Sequence, residues 1–338
     1  MRGISADKYQ CGQSAALVLV GNIGDVLLLE PCIRFLHERG LELDLYCTAE
    51  TAMVWQGDVR LRRIIPIRSS NQKYQAAEGT GAARIAGRYD YLFDFWPTGR
   101  SVKLSWRIRA RQKVTWAGLG AKRLLRAFVY DWREDFPGLD ILRAKVYLRL
   151  LGLSAEEAER WVPARIMADG KALESFWTRF PQTNPATNRF LVLQPTARWQ
   201  RKLWPVEEWR GLVKRLVGRN DLQVRMVSGP VDEERKFLTS ISEGLVPKEH
   251  LFSGSVSWEE LKCLLASGVG FVGLDSAPYH LGAMLGKPLV VLFGSTNEKE
   301  WGPMLPKQIV VKAQDSPSSM AGIRAEEVWR ACVEAFGL

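Results

Sequence analysis

Short apolar runs of strand length alternate with amphipathic segments along the first half of the chain. The apolar runs, rich in β-branched residues, cover residues 16–20, 43–47, 63–67, 89–95 and 113–116. Hydrophobic positions with helical spacing cover residues 26–39, 82–87, 101–111 and 140–151. Strands that alternate with helices in this way are typical of a parallel sheet with helices packed on its faces.

The alternation resumes after the polar stretch 181–188, PQTNPATN, which has the composition of a linker. Strands are predicted at 190–194, 223–227, 269–273, 289–293 and 309–312, and helices at 206–217, 233–242, 258–267, 278–285 and 325–336. The pattern predicts an α/β fold with two Rossmann-like, doubly wound domains facing across a cleft, at residues 1–180 and 181–320. Residues 321–338 are predicted to form a C-terminal helix that packs back on the N-terminal domain. Ligands of such domains bind at the carboxyl ends of the strands.

Composition narrows the class of protein. No apolar run approaches the roughly 18–20 residues that cross a bilayer, and the first residues lack the apolar core of a signal peptide. The 5 cysteines are odd in number and scattered without a CxxC pair, which argues against a disulfide framework or a thiolate metal site. We therefore expect a cytoplasmic protein with no metal and no cofactor.

The net charge of +10 is concentrated in a stretch without acids between Asp94 and Asp131. Its basic residues are Arg100, Lys103, Arg107, Arg109, Arg111, Lys113, Lys122, Arg123 and Arg126. Such a field suits a polyanion: nucleic acid, an acidic membrane surface or a phosphorylated glycolipid. For any single residue of the set, a solvated helix face is the plainer explanation.

Residues 21–25, GNIGD, follow the first strand and open a helix. Glycines there permit a tight turn and close approach of a ligand, and the free amides at a helix start favour anions. The segment is neither GxGxxG nor a P-loop, so it supports neither dinucleotide nor P-loop binding. Asp25 can cap the helix. It also lies where a carboxylate can accept a proton from a hydroxyl.

Two motifs of the second half follow predicted strands. Residues 194–205, QPTARWQRKLWP, offer Thr196, loop amides and Lys202 to a diphosphate, although a plain surface loop fits the same residues. Ser228 and Gly229 then form a turn before an acidic helix start, where Glu233 either complements the helix dipole or binds ribose hydroxyls.

The most specific motif is residues 272–281, VGLDSAPYHL, with GSTN at 294–297 after the next strand. A strand enters a small-residue turn and then a helix whose first amides favour an anion. Asp275, Ser276, Ala277 and His280 belong to this turn. A lone histidine is more often structural than functional, and no Asp-x-Asp pair is present to hold a divalent cation on a diphosphate.

At these motifs the chain resembles the heptosyltransferase family, glycosyltransferase family 9, which has the GT-B fold. The matching features are Gly24-Asp25-Val26 through Pro31, the Lys-x-Trp-Pro signature at 202–205, the Asp-Ser-x-Pro-x-His-Leu motif at 275–281 and Leu-Phe-Gly at 292–294. Their order and spacing agree from about residue 16 to 302. Ala277 lies where the family usually has glycine, and Tyr279 where it often has methionine. A tyrosine there is expected to reshape the donor pocket, so the resemblance leaves the sugar and nucleotide of the donor open.

The resemblance implies metal-independent, inverting transfer of a heptose from ADP-heptose to an inner-core lipopolysaccharide sugar. The first domain would bind the acceptor and the second the nucleotide sugar. Asp25 matches the general base and Lys202 the residue that neutralises the leaving diphosphate. The implied donor-binding residues are Thr196, Ser228, Gly229, Glu233, Asp275, Ser276, Ala277 and His280, with a one-residue slip open at Glu233.

An anionic acceptor would account for the basic half of the chain. Gly24, Arg68, Lys73, Arg100 and Lys103 follow strands of the first domain and are predicted to bind the acceptor. The basic, aromatic segment 106–111 is predicted to rest on the cytoplasmic face of the inner membrane.

Other interpretations are another sugar-nucleotide enzyme of the same fold, with a different donor or an epimerase activity, and, outside that class, a basic nucleic-acid-binding protein. The last lacks the usual RNA-binding motifs, and no nucleic-acid partner is expected.

Overall fold

The structure, a computed structural model, describes residues 5–67, 88–117, 126–137, 140–254, 256–302, 308–313 and 319–338. The chain divides into two compact units, Met1–Pro163 and Ala164–Leu338. The boundary precedes the predicted one at 180/181 because helix Gly170–Arg179 packs on Trp258–Ser267 and so belongs to the second unit.

The first unit contains a six-stranded parallel sheet in the order β3-β2-β1-β4-β5-β6. Its strands are β1 Ser14–Val18, β2 Glu42–Thr48, β3 Leu61–Ile67, β4 Tyr89–Asp94, β5 Ala110–Trp116 and β6 Trp132–Glu134. Its α-helices are α1 Ile23–Leu27, α2 Glu30–His37, α3 Ala49–Ala52, α4 Gly99–Arg107, α5 Arg143–Leu150 and α6 Ala155–Glu159, with a further helical turn at 126–129.

The second unit contains another six-stranded parallel sheet, in the order β12-β11-β10-β7-β8-β9. Its strands are β7 Phe190–Gln194, β8 Gln223–Ser228, β9 Leu251–Ser253, β10 Gly270–Leu274, β11 Leu289–Phe293 and β12 Gln308–Lys312. Its α-helices are α7 Gly170–Arg179, α8 Val206–Val217, α9 Asp232–Ser242, α10 Trp258–Ser267, α11 Ala277–Met284, α12 Glu298–Trp301 and α13 Ala325–Phe336.

Both sheets have the strand order of a dinucleotide-binding fold. In each, the chain starts at a central strand, builds outward to one side, and then returns to build the other. The order therefore reverses between β1 and β4 in the first sheet and between β7 and β10 in the second. At such a reversal the loops leaving neighbouring strands separate and leave a crevice for a ligand at the carboxyl edge.

The core of each unit is the apolar interior of its sheet and the helix faces against it. Every residue of β7, β10 and β11 is buried, as expected for parallel strands covered on both faces. Trp204 and Trp209 are fully buried with ring centroids 4.9 Å apart, and the indole N–H of Trp204 donates to the carbonyl of Ile323 at 2.9 Å. Trp204 of the Lys-x-Trp-Pro signature thus anchors the loop before α8.

All ten predicted strands are present, while several helix boundaries differ. The predicted helix 26–39 is two helices, because Pro31 lies in the first turn of α2 and a proline cannot continue a helix from the preceding turn. The predicted helix 101–111 ends at Arg107, and the chain becomes β5 at Ala110. The strands β6 and β9 were not predicted, since three residues carry too little periodicity. The predicted helix 82–87 lies outside the described residues.

The closing helix α13 belongs to the second unit. It packs on α8, β11 and β12 of the second unit, where Val328 and Cys332 are buried. Packing of this helix on the first domain stays a prediction. Its apolar face completes the core of the second sheet.

Candidate active site

Asp25 lies in the first turn of α1, just past the carboxyl end of β1. Its Oδ2 accepts a hydrogen bond from the backbone N–H of Asn22 at 2.7 Å, which closes a capping box. The carboxylate folds back so closely that a Cβ on Gly21 would lie 2.8 Å from Oδ2. The glycine is therefore required for this turn, and Asp25 is held in one orientation with its side chain partly exposed.

Two side chains of α5 share the electrostatic environment of Asp25. The nearby Asp25 charge adds to burial in raising the pKa of Tyr147, and burial lowers the pKa of Arg143 while Asp25 opposes that effect. The guanidinium of Arg143 stacks 3.8 Å from the ring centroid of Trp96 and is almost fully buried. Arg143 therefore places a buried cation in the electrostatic environment of Asp25.

Asp94 ends β4 beside β1, at the same switch point. It is fully buried, its Oδ2 accepts from the hydroxyl of Tyr130 at 2.5 Å, and burial raises its pKa to about 6. Asp94 therefore has a structural role, since its carboxylate holds Tyr130 against the end of β4.

In the second unit, Lys202 and Asp275 meet across the switch point. The ammonium of Lys202 donates to Oδ2 of Asp275 at 2.7 Å and to its carbonyl oxygen at 2.9 Å. Lys202 comes from the loop after β7 and Asp275 directly follows β10, the neighbouring strand. His280 places Nε2 3.7 Å from Oδ1 of Asp275, and burial lowers the pKa of this imidazole to about 4, so it is neutral at pH 7.

A second set of hydrogen bonds joins the same loops. The hydroxyl of Ser276 donates to Oε1 of Gln194 at 2.7 Å, and the amide of Gln194 donates to Thr196. Thr196 in turn donates to Oε2 of Glu234 at 2.9 Å, and the same oxygen accepts the N–H of Gly229 at 2.7 Å. Loops after β7, β8 and β10 are thereby fixed together.

The structure places Glu234 at this turn instead of the predicted Glu233. Glu233 is exposed on α9, one residue away and on a different side of the helix. A Cβ on Gly229 would lie 2.3 Å from Oε2 of Glu234, so a larger residue at this position would displace the carboxylate. Ser228 lies beside them, with its hydroxyl 3.4 Å from that of Ser253.

The two departures from the family pattern have simple structural explanations. Ala277 is the first residue of α11, a right-handed helical position that needs no glycine. Tyr279 is fully buried, with its ring edge-on to Phe293 and its hydroxyl donating to Oε1 of Gln308 at 3.1 Å. Tyr279 therefore packs in the core beneath α11, and its influence on the choice of donor stays a prediction.

The described acceptor-binding candidates lie on two helices, α1 and α4. Gly24 lies inside α1 next to Asp25, and Arg100 and Lys103 are exposed on α4. Arg68 and Lys73 lie outside the described residues. Within the described part of the chain, no three His, Cys, Asp or Glu side chains form a metal-binding group, and no helix is long and apolar enough to cross a membrane.

Comparison with known proteins identifies the family. Residues 86–326 match the family model of glycosyltransferase family 9 (heptosyltransferase). The chain is also 32% identical over 294 residues to lipopolysaccharide heptosyltransferase 3 of Escherichia coli. The aligned residues cover 83% of this chain and 83% of that protein. The chain belongs to glycosyltransferase family 9. The prediction of a glycosyltransferase is thus confirmed, and family membership supports heptose transfer in lipopolysaccharide synthesis.

Solved structures share the fold of this family 9 protein. A family 9 glycosyltransferase from Veillonella parvula has a TM-score of 0.81 at 17% identity, covering 96% of this chain and 97% of the other. E. coli ADP-heptose heptosyltransferase II has a TM-score of 0.76 at 17% identity, covering 96% and 98%. E. coli heptosyltransferase WaaC, solved with ADP, has a TM-score of 0.72 at 18% identity, covering 96% and 100%. The GT-B assignment of the two doubly wound domains is confirmed.

Sequence reasoning missed Glu234, Arg143 and Tyr147. Glu234 was hidden in a run of three acids, where only the helix phase decides which one faces the turn. Arg143 and Tyr147 lie four residues apart and are buried on α5, so a charged residue on an apolar helix face was the available signal.

Proposed function

We propose that this enzyme transfers a heptose from ADP-heptose to a sugar hydroxyl of the lipopolysaccharide inner core, with inversion and without a metal. The observation that carries the proposal is the Lys202–Asp275 pair at the switch point of the second sheet. A lysine ammonium has three N–H donors, and the contacts to Asp275 occupy two of them. The third is available to a phosphate oxygen of a nucleoside diphosphate.

The proposed reaction is one displacement at the anomeric carbon. The acceptor oxygen forms a bond to that carbon while the bond to the diphosphate oxygen breaks, and ADP leaves with the bonding electrons. The acceptor proton passes to the carboxylate of Asp25. Lys202 and the first amides of α11 stabilise the charge on ADP, which is the electrostatic contribution that a metal makes in other transferases. His280, neutral through burial, supports Asp275 from the other side.

The remaining contacts follow the chemistry of the two substrates. Glu234 accepts hydrogen bonds from ribose hydroxyls, because its carboxylate lies at the turn after β8 with Gly229 and Thr196. Ser228 and Ser276 complete the donor site. The phosphorylated acceptor binds the exposed basic side chains Arg100 and Lys103 of α4, and Gly24 in α1 also contributes to its site. The transfer reaction takes place in the cytoplasm, at the inner face of the membrane that holds the acceptor.

A donor panel tests this proposal. ADP-heptose, ADP-glucose and UDP-glucose are each incubated with the enzyme and EDTA, with and without truncated lipopolysaccharide. We expect acceptor-dependent ADP release from ADP-heptose alone, and a product whose anomeric configuration is opposite to that of the donor. Conversion of the donor without acceptor would indicate an epimerase, and loss of turnover with EDTA would refute metal independence.

A further inference from the structure

The two helices that follow β1 are separated by a break close to Asp25. α1 ends at Leu27 and α2 begins at Glu30, because Pro31 in the first turn of α2 cannot continue the preceding helix. A helix as short as α1 has little stability of its own and depends on contacts outside it to stay in place. The capping box between Asn22 and Asp25 fixes its beginning. Its end is held by a different part of the chain.

Trp55 makes the contact at the end of α1. It belongs to the 3₁₀ turn Met53–Trp55, which follows α3 and packs on α1. Its indole N–H donates to the carbonyl oxygen of Val26 at 3.1 Å, and both residues are buried. Carbonyl groups in the last turn of a helix lack partners within the helix, so this oxygen is satisfied by Trp55 and by the N–H of Leu29.

The segment that carries Trp55 also holds α2. The guanidinium of Arg60 donates to Oε1 of Glu30 at 2.7 Å and lies 5.7 Å from the centroid of the Trp55 ring. Glu30 is fully buried, so the ion pair compensates a charge that has no access to water. The N–H of Asp58 donates to the carbonyl oxygen of Trp55 at 3.0 Å, and that of Arg60 donates to Oδ1 of Asp58 at 2.9 Å. Residues 55–60 therefore form a fixed turn that contacts the helices on both sides of the break.

We propose that Trp55 is a positioning residue for Asp25. Its indole holds the end of α1, and the carboxylate one residue before Val26 thereby keeps the orientation that proton transfer from an acceptor hydroxyl requires. The inference rests on the proposed function, in which Asp25 takes that proton. A general base acts within hydrogen-bond reach of the proton, and a displacement of about 1 Å can cost on the order of 100-fold in rate. Trp55 is 4% exposed and acts through α1, so its effect is on kcat and not on donor binding.

Two replacements of Trp55 test this role. Trp55→Phe keeps an aromatic ring in the core and lacks the N–H, and we expect kcat for acceptor-dependent ADP release to fall by about tenfold with an unchanged KM for ADP-heptose. Incorporation of 3-benzothienylalanine at residue 55 exchanges only the N–H for sulfur, so it should give a similar loss without leaving a cavity. Trp177→Phe is the matched control. It removes an indole N–H that donates to Oγ of Ser267 at 2.8 Å in the second unit, and kcat should not change.

A double-mutant cycle determines whether Trp55 acts through Asp25. Trp55→Phe added to Asp25→Asn should lower kcat no further, because the side chain that it positions no longer accepts a proton. A purely structural role would produce the same loss in both backgrounds. Single-turnover measurements with enzyme in excess record the rates of the slow variants.

Hydrogen exchange provides a readout that needs no substrate. Loss of one hydrogen bond at the end of α1 should speed amide exchange in residues 23–28 by about 2- to 10-fold and leave that of α4 unchanged. An unchanged kcat in both Trp55 variants, unchanged exchange in α1, or an equal loss of kcat in the Asp25→Asn background would each overturn the positioning role. Wild-type turnover in Asp25→Asn alone would instead count against the proposed function.

Discussion

The ammonium group of Lys202 lies 2.7 Å from Oδ2 of Asp275 and 2.9 Å from the carbonyl oxygen of the same residue. The two residues follow neighbouring strands, β7 and β10, so the ion pair spans the point where the strand order reverses. The Asp275 side chain is only 5% exposed, and the lysine is fixed by a geometry that leaves one N–H to point elsewhere. We propose that this remaining N–H donates to a diphosphate oxygen of the donor.

Replacing Lys202 by alanine should lower kcat by about 10²–10³-fold, because the charge on the leaving diphosphate loses a preorganised donor. Steady-state ADP release measures the effect. Lys214→Ala, which removes an exposed lysine of α8, is the matched control and should leave kcat unchanged. A Lys202→Ala enzyme with wild-type turnover would remove Lys202 from the mechanism.

Substitutions of the adjacent residues Glu234 and Glu233 are expected to differ in their effect on ADP binding. Glu234→Gln should weaken ADP binding by roughly tenfold, since Oε2 organises Thr196 and Gly229 and its charge strengthens both hydrogen bonds. Glu233→Gln changes an exposed side chain and should bind ADP as the wild type does. Titration calorimetry distinguishes them, and a larger effect at Glu233 would place the ribose contact one residue earlier.

His280 should make the enzyme less stable at acid pH. Burial lowers its pKa to about 4 from an ordinary value of 6.5, so the unfolded state takes up the proton first as the pH falls. The contribution of His280 to the free energy of unfolding is fully present above pH 6.5 and is lost as the pH falls toward 4. Between pH 7.5 and 5 the loss is about 2 kcal/mol. Urea unfolding at these two pH values should show this loss in the wild type.

The control for that titration is His280→Asn, in which this pH dependence should shrink by the same amount. Asp94 also titrates in the window, because burial raises its pKa to about 6, and it acts in the opposite direction. Its contribution is common to both proteins and cancels in the comparison. An unchanged slope in His280→Asn would mean that the imidazole is not buried as described.

Tyr279 should affect stability and not donor choice. Tyr279→Phe removes the hydrogen bond to Gln308 and should cost about 0.5–1.5 kcal/mol in the free energy of unfolding. Because the ring is fully buried against Phe293, the donor KM should not change. A shift in preference between ADP- and UDP-sugars in this variant would contradict the packing.

Much of the fold could be predicted because parallel strands buried on both faces produce plain apolar runs. The runs at β7 and β11 are entirely buried and were found with their observed bounds. The short edge strands β6 and β9 were not found, since an edge of three residues has no distinctive period. The predicted helix 26–39 is divided at Pro31 because a proline interrupts a helix. The hydrophobic pattern alone does not show this division.

The candidate site was predictable where chemistry follows directly after a strand. Lys202, Asp275 and Ser276 are brought together because their strands are neighbours in the sheet. The sequence could not separate Glu233 from Glu234, since one step along a helix turns a side chain by about 100° and only the phase decides. Nor could it place Arg143 near Asp25, because tertiary packing alone brings α5 and α1 together.

The most direct test of the central claim compares the wild type with Asp25→Asn in acceptor-dependent ADP release from ADP-heptose. Asparagine keeps the size and the hydrogen bond to Asn22 but cannot take a proton, so kcat should fall by about 10²–10⁴-fold with ADP binding unchanged. Circular dichroism verifies that the helix cap survives. Turnover in Asp25→Asn equal to that of the wild type would contradict the proposed mechanism.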